Sequence, residues 1–183
     1  MLFRSIIVKT FDEQGITGKL RELVVGVLVV AAFRPDTFRV ERRLRIQAPP
    51  ATIYGLIQDL HQFNRWNPWE RKDPGKGQYG ATTAGPGASY AWASDKLGAG
   101  SMTVTAATPA RQVTLRLDFL APMKATNIAE FTLQPDGTAT QVTWAMSGQN
   151  NYLSKLMQVF FSMDRMVGDD FAAGLANLKA LAE

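Results

Sequence analysis

The sequence predicts an α+β domain: one strand, two short helices, about six further antiparallel strands and one long C-terminal helix. Three observations carry that prediction. From Phe38 onwards, apolar and polar residues alternate in short stretches separated by turn signals, the spacing of an antiparallel meander. A proline-led helix start follows the first of these stretches. From Tyr152 to Glu183 the apolar residues recur instead at three- and four-residue steps, the period of an amphipathic helix. A strongly curved sheet gripping that helix satisfies all the apolar faces at once and tends to leave a cavity between helix and sheet.

In the first strand Phe38, Val40, Leu44 and Ile46 share one parity, and Arg39, Glu41, Arg43 and Arg45 the other. That is a half-buried strand with a polar outer face. Arg42 interrupts the inner row, the pattern of a bulge or a strand crossing. Ala48-Pro49-Pro50-Ala51-Thr52 opens a helix whose apolar face is Ile53, Leu56, Ile57 and Leu60. His61 to Trp69 reads as a short second helix or turn, and the Gly/Pro-rich stretch Asp73 to Gly87 as a loop with room for a short strand near Gln78 to Thr82.

The meander follows. Ala88, Tyr90 and Trp92 alternate with small residues, Asp95-Lys96-Leu97-Gly98 turns, and Met102, Val104 and Ala106 form the next inner row. After a turn at Thr108-Pro109-Ala110, Val113, Leu115, Leu117 and Phe119 alternate with polar residues. A further strand runs from about Thr126 to Leu133. Pro135-Asp136-Gly137 is a hairpin signal, after which Val142, Trp144 and Met146 face inward. The final helix carries Leu153, Leu156, Met157, Phe160, Val167, Phe171, Leu175, Leu178 and Leu181, with Asp164 inside the stripe.

The 183 residues fit one domain, 37–183, preceded by an arm, 1–36. With 46% hydrophobic and 20% charged residues, the chain needs no disulfide or metal to hold a core. It has no cysteine and one histidine, His61, which excludes thiolate nucleophiles, cysteine zinc sites and multi-histidine metal centres. Neither a metal nor another cofactor is expected. Any chemistry falls to carboxylates, hydroxyls or lysines. Of the net charge of +4, residues 1–43 supply eight Lys/Arg against five Asp/Glu, so the body is near neutral and no nucleic-acid partner is expected. No phosphate loop, dinucleotide fingerprint or nucleophile elbow is present.

In the arm, Leu23 to Phe33 is an eleven-residue run without charge, bounded by Lys19, Arg21 and Glu22 before it and Arg34-Pro35 after it. A membrane-spanning helix needs about 20 apolar residues, so a full span is not expected. Three readings stay open: a short helix or strand packed on protein, an interfacial or partial membrane anchor, and a poorly ordered extension. The protein is accordingly expected to be cytoplasmic or peripherally membrane-associated, and a monomer or weak dimer.

Several sequence pieces in this order resemble the START-like, or SRPBCC, helix-grip superfamily, and within it the polyketide cyclase/dehydrase family. They are Phe38-Arg39-Val40-Glu41-Arg42 leading to Ile46-Gln47-Ala48-Pro49-Pro50, Trp66-Asn67-Pro68-Trp69 and Gly87-Ala88-Ser89-Tyr90-Ala91-Trp92. Val142-Thr143-Trp144-Ala145-Met146-Ser147-Gly148, Met163-Asp164 followed by Gly168, and Gly174-Leu175-Ala176-Asn177-Leu178-Lys179 complete them. The resemblance implies a helix-grip fold: a seven-stranded antiparallel sheet, two small helices closing one end, and a long C-terminal helix across the concave face.

Two classes of function fit. One is a binding or carrier protein with an internal cavity for an apolar small molecule: a lipid, a sterol-like compound, or a polyaromatic or polyketide molecule. The other is a cyclase- or dehydrase-type enzyme acting on a polyketide-like substrate. The expected ligand-binding wall is aromatic, with Trp66, Trp69, Tyr90, Trp92, Phe119, Trp144 and Phe160, supplemented by the adaptable Met146. Asp164, a carboxylate on the apolar stripe, reads either as a structural partner of Arg42, Arg116 or an indole N–H, or as a polar anchor in the pocket. His61, Asp59 and Glu70 read as surface groups.

Overall fold

The structure, a computed structural model, describes residues 18–33, 35–150, 155–156 and 162–183. Two compact units are distinguished: Thr37–Gln149 with Met163–Glu183, and Met1–Asp36 with Asn150–Ser162.

The first unit opens with β1 (Thr37–Ile46), followed by α2 (Pro50–Gln58), α3 (Leu60–Trp66) and α4 (Pro68–Lys72). Six strands come next: β2 (Gly77–Tyr79), β3 (Ser89–Ser94), β4 (Gly98–Thr108), β5 (Gln112–Ala121), β6 (Ala125–Asp136) and β7 (Ala139–Gln149). The helix α5 (Met163–Ala182) closes it; α1, in the second unit, spans 18–32. The sheet order is β1-β7-β6-β5-β4-β3-β2, every pair antiparallel. This is the α+β architecture with a seven-stranded sheet, a terminal helix and short helices after the first strand.

Local chemistry explains the short helices. Pro49 and Pro50 fix the entry to α2. Asp59 caps α3, its carboxylate accepting from the backbone N–H groups of His61 and Gln62. Asn67 ends α3 and begins α4, its side-chain oxygen accepting from the Trp69 N–H at 3.1 Å. Residues 61–69 therefore form two helices meeting at Asn67, rather than one short helix or turn, because an amide at the junction starts the second helix as the first stops.

The inner row of β1 is as the alternation predicts, with Val40 and Ile46 buried. Its pairing with β7 runs unbroken and sets Arg42 opposite Trp144. Arg42 thus marks neither a bulge nor a crossing; it occupies an inner-row position because it has a partner, described below. Register shifts occur instead between β4 and β5, at Ala99/Gly100 and at Val104/Ala106. Such shifts bend a strand and increase its twist, which curves this part of the sheet.

The core is built from Ile46, Ile53, Ile57, Leu60, Trp66, Phe131, Phe171, Leu175 and Leu178, all essentially without solvent exposure. The apolar stripe of α5 supplies Phe171, Leu175 and Leu178 at three- and four-residue steps. The helix begins at Met163, after a non-helical Ser162. Asp164 in its first turn suits the positive end of the helix dipole. Tyr152, Leu153, Met157 and Phe160 lie outside the described residues.

In the second unit, the Asn150 backbone N–H donates to the Asp36 carbonyl at 2.7 Å, and its side-chain amide donates to the Pro35 carbonyl. Lys155 pairs with the Asp36 carboxylate. The segment after β7 is thereby tied to the segment before β1. The helix α1 presents Leu23, Val25, Val29 and Val30 to solvent, each about half exposed or more. Among the described residues, no helix is long and apolar enough to cross a membrane.

Candidate functional site

Strand register gathers one face of the sheet into rows. Tyr90, Met102 and Leu117 stand opposite one another across β3, β4 and β5. Leu115, Ala129 and Met146 form the next row across β5, β6 and β7, and Phe131 pairs with Trp144. These rows, with Phe63 of α3, Trp69 of α4, and Val167 and Phe171 of α5, enclose a cavity of about 390 Å³. Trp92 and Phe119 extend the wall, their rings edge to face at 5.9 Å.

The aromatic end of the cavity is tightly organised. The Trp144 indole stacks on Phe171 with centroids 4.2 Å apart and planes 8° from parallel. Phe131 lies against it at 4.8 Å, and Trp69 stands nearly perpendicular to both Trp144 and Phe171, with centroids 5.9 and 6.1 Å away. Trp144 is 2% exposed, and its Nε1–H has no hydrogen-bond acceptor among the described residues. A buried donor left unpaired costs about 1–3 kcal/mol, so such groups are rare.

The polar side chains of the wall are Asn67, Glu70, Asp73 and Lys76 from α3–α4 and the loop after it, and Ser94 and Lys96 from the end of β3 and its turn. Glu70 is held at both oxygens. The Gly75 N–H donates to Oε1 and the Tyr90 hydroxyl donates to Oε2, each at 2.7 Å. Burial, and secondly the hydrogen bond to Glu70, push the Tyr90 phenol far above its ordinary range. The phenol is therefore held protonated, as the hydrogen-bond donor to Glu70. Asp73 joins the two loops: the Ser94 hydroxyl donates to it at 2.5 Å, and Lys96 lies 3.9 Å from its other oxygen. Among the described residues, no group of three His, Cys, Asp or Glu side chains could hold a metal ion.

Of the aromatic and methionine residues expected at a binding wall, Trp69, Tyr90, Trp92, Phe119, Trp144 and Met146 line the cavity. Trp66 does not. It is wholly buried behind the wall, edge to face with Phe63, Phe131 and Trp144, and its indole N–H donates to the Leu56 carbonyl at 2.8 Å. It is scaffold because α3 turns it towards α2. Phe160 lies outside the described residues. Asp164 also stands away from the cavity. Its side chain is 56% exposed and accepts two hydrogen bonds from the Arg42 guanidinium, at 2.7 and 3.0 Å. That pairing, with burial opposing it, holds the Asp164 carboxyl below the usual range. The reading of Asp164 as a pocket anchor is corrected to that of an ion-pair partner: the first turn of α5 projects it past the rim to Arg42.

Glu70 is the residue the sequence placed on the surface and the structure places in the wall. The signal for it was its position directly after Trp69 on a helix opened by Asn67-Pro68. Its partner Tyr90, twenty residues on, becomes visible only once β3 is folded. His61 and Asp59 behave as expected, His61 stacking on Tyr79 at the surface and Asp59 capping α3.

A curved seven-stranded sheet closed on one helix, with an apolar cavity between them, sets the frame for comparison. A family model described as "Polyketide cyclase / dehydrase and lipid transport" matches residues 37–183. The chain belongs to that family. Solved structures agree in fold. Protein CV1439 from Chromobacterium violaceum is 18% identical with a TM-score of 0.58, covering 82% of this chain and 99% of that one. The Aha1 dimer from Colwellia psychrerythraea is 18% identical with a TM-score of 0.56, covering 80% and 96%. DynU16, from the dynemicin biosynthetic locus, is 16% identical with a TM-score of 0.54, covering 80% of this chain and 47% of that one. No curated protein matches the sequence. Family and fold are consistent with ligand binding or a cyclase role.

Proposed function

We propose that this member of the polyketide cyclase/dehydrase and lipid transport family binds one apolar small molecule, of lipid, sterol-like or polyaromatic type, inside the cavity. The single observation that carries the proposal is a cavity of about 390 Å³ whose wall is mostly aromatic, aliphatic and thioether side chains. Protein cores ordinarily pack to crystal-like density, with few voids larger than a water molecule. Pockets of about 300–1,000 Å³ with a few placed polar groups are the usual form of a small-molecule site. Trp69, Tyr90, Trp92, Phe119, Trp144 and Met146 are the residues assigned to the ligand.

The test uses N-phenyl-1-naphthylamine, a neutral apolar dye whose fluorescence rises in apolar surroundings. One dye per chain is expected to bind. Leu117→Trp, which places an indole in the space beside Met102 and Tyr90, is expected to abolish binding while the protein stays folded. Binding that survives Leu117→Trp unchanged would remove the cavity from the account.

A second reading, a cyclase- or dehydrase-type enzyme, is favoured by one observation. Glu70 and Tyr90 are convergent, hydrogen-bonded titratable groups in the wall, with Lys76 and Lys96 in the same lining. A carboxylate held by a neighbouring phenol can act as a general base towards a folded substrate. Turnover of a poly-β-ketone thioester that stops in Glu70→Gln but not in Asp164→Asn would establish it.

Contact with a membrane belongs to the same proposal. The fifteen residues 18–32 form a helix about 22 Å long at ~1.5 Å per residue. Its exposed apolar side chains suit the interfacial layer of a bilayer rather than a crossing. Flotation of the full chain with lipid vesicles, lost on changing Val25 and Val29 to aspartate, is the expected result.

A further inference from the structure

Two turns meet at the polar end of the cavity. Asp73 and Lys76 come from the turn between α4 and β2, and Ser94, Lys96 and Leu97 from the end of β3 and the turn before β4. Neither turn is anchored in the core. No residue from 71 to 87 is buried, nor any from 94 to 99, whereas the elements around the rest of the wall carry core residues such as Leu115, Phe131, Trp144 and Phe171. Segments with few buried apolar contacts are the ones that open locally.

What joins the two turns is polar and centred on one hydroxyl. Ser94 Oγ donates to the Asp73 carboxylate at 2.5 Å and accepts from the backbone N–H groups of Lys96 and Leu97, each at 3.1 Å. Its one donor and two acceptor positions are thus all used. The same atom shapes the β3–β4 turn and ties it to the turn that follows α4. The Asp73 side chain is 12% exposed, and that of Lys96, 3.9 Å from its other oxygen, is 74% exposed. Asp73 therefore lies inside the junction and Lys96 on its solvent side. Next to them the Ala93 N–H donates to the Lys76 carbonyl at 3.1 Å, continuing the β2–β3 ladder.

Resting on the cavity-binding proposal, we infer that the entrance of the cavity lies between these two turns and that Asp73, Ser94 and Lys96 form the latch that keeps it shut. Ligand passes when the Asp73–Ser94 hydrogen bond breaks and the turns part, with the β2–β3 ladder as the hinge. Parting them exposes no core residue. Opening the wall at Phe131, Trp144 or Phe171 would unpack the core.

Stopped-flow fluorescence with N-phenyl-1-naphthylamine measures entry and exit on the full chain. Asp73→Ala should speed entry by about tenfold, the factor expected when opening no longer breaks a hydrogen bond to a charged group. Exit should quicken as well. Faster entry is the decisive readout, because a residue that merely touched the ligand would change exit alone. Ser94→Ala removes the same bond from the other side and should act in the same direction.

The sequence has no cysteine, so Asp73→Cys combined with Ser94→Cys introduces the only two thiols. Their oxidation to a disulfide, verified by the loss of two hydrogens from the intact mass, should slow entry and exit severalfold or more relative to the same protein after reduction. A short bis-methanethiosulfonate reagent bridges the pair if the direct bond does not close. Entry at one rate in the bridged and reduced protein, or entry unchanged in both alanine variants, overturns the inference: the dye then passes elsewhere, and binding in the cavity still stands. A wild type that takes up no dye overturns both.

Discussion

Gly174 of α5 lies so close to Trp144 of β7 that a Cβ on residue 174 would sit 2.6 Å from Cζ3 of the indole. Phe171 is stacked on it and Phe131 tilts against it. Pro68 closes the other side, 3.1 Å from the same added atom. A glycine on the helix thus lets the helix backbone seat the central ring of the cavity wall.

Gly174→Ala is therefore expected to destabilise the protein. Alanine gains about 1 kcal/mol of helix propensity over glycine. Overpacking a rigid core typically costs about 1–3 kcal/mol, and here the neighbours are a pinned ring and a proline, so the cost wins. Urea unfolding should show a net loss on the order of 1–2 kcal/mol, accompanied by a change in tryptophan emission. An unchanged or raised midpoint would mean that Trp144 moves freely.

Asp164→Asn should leave ligand affinity unchanged and lower stability only slightly, because the Arg42 pair is more than half exposed at its carboxylate. The pH dependence has a definite sign. The folded-state carboxyl titrates below its unfolded value, so its contribution is full above that unfolded value of about 4. It is lost as the pH falls through the depressed folded value. The stability difference between wild type and Asp164→Asn should thus be constant near neutrality and vanish in strong acid. Altered dye affinity in this variant would return Asp164 to the cavity.

Tyr90 should resist ionisation. Its folded-state phenol titrates well above the unfolded value of about 10, so the native state loses stability as the pH rises past 10. Spectrophotometric titration should show one of the four tyrosines ionising only when the chain unfolds. Tyr90→Phe should remove that component and cost about 1 kcal/mol for the lost hydrogen bond to Glu70. A Tyr90→Phe protein with the same alkaline titration would place the perturbed phenol elsewhere.

The segment 37–183, matched by the family model, is proposed to fold without residues 1–36. It should melt within about 4 °C of the full chain, the shift that accompanies about 1 kcal/mol in a domain of this size. A much larger drop would make the arm part of the core.

Much of this fold was legible because its strands are half-buried and its last helix amphipathic. Val113, Leu115 and Leu117 announce one face by parity alone, and Phe171, Leu175 and Leu178 announce the other by three- and four-residue steps. The aromatic wall followed from the same rows. What parity could not separate was a ring lining the cavity from a ring behind it. Trp66 and Trp69 are three residues apart, yet one donates to Leu56 in the core and the other faces the cavity. Charges were harder still. Arg42 and Asp164 meet across 122 residues, and Glu70 and Tyr90 across twenty. No local pattern encodes such pairs, because each side chain's environment is supplied by a distant element.

Methyl-resolved NMR during titration with N-phenyl-1-naphthylamine tests the central claim, a ligand inside the cavity, most directly. The account predicts saturable shifts at the methyl groups of Met102, Leu115, Leu117, Met146 and Val167, all in the wall, with Ile53, Ile57 and Leu178 unmoved in the core behind it. Shifts confined to Leu23, Val25 and Val29 of α1, or spread evenly over exposed methyls, would contradict it.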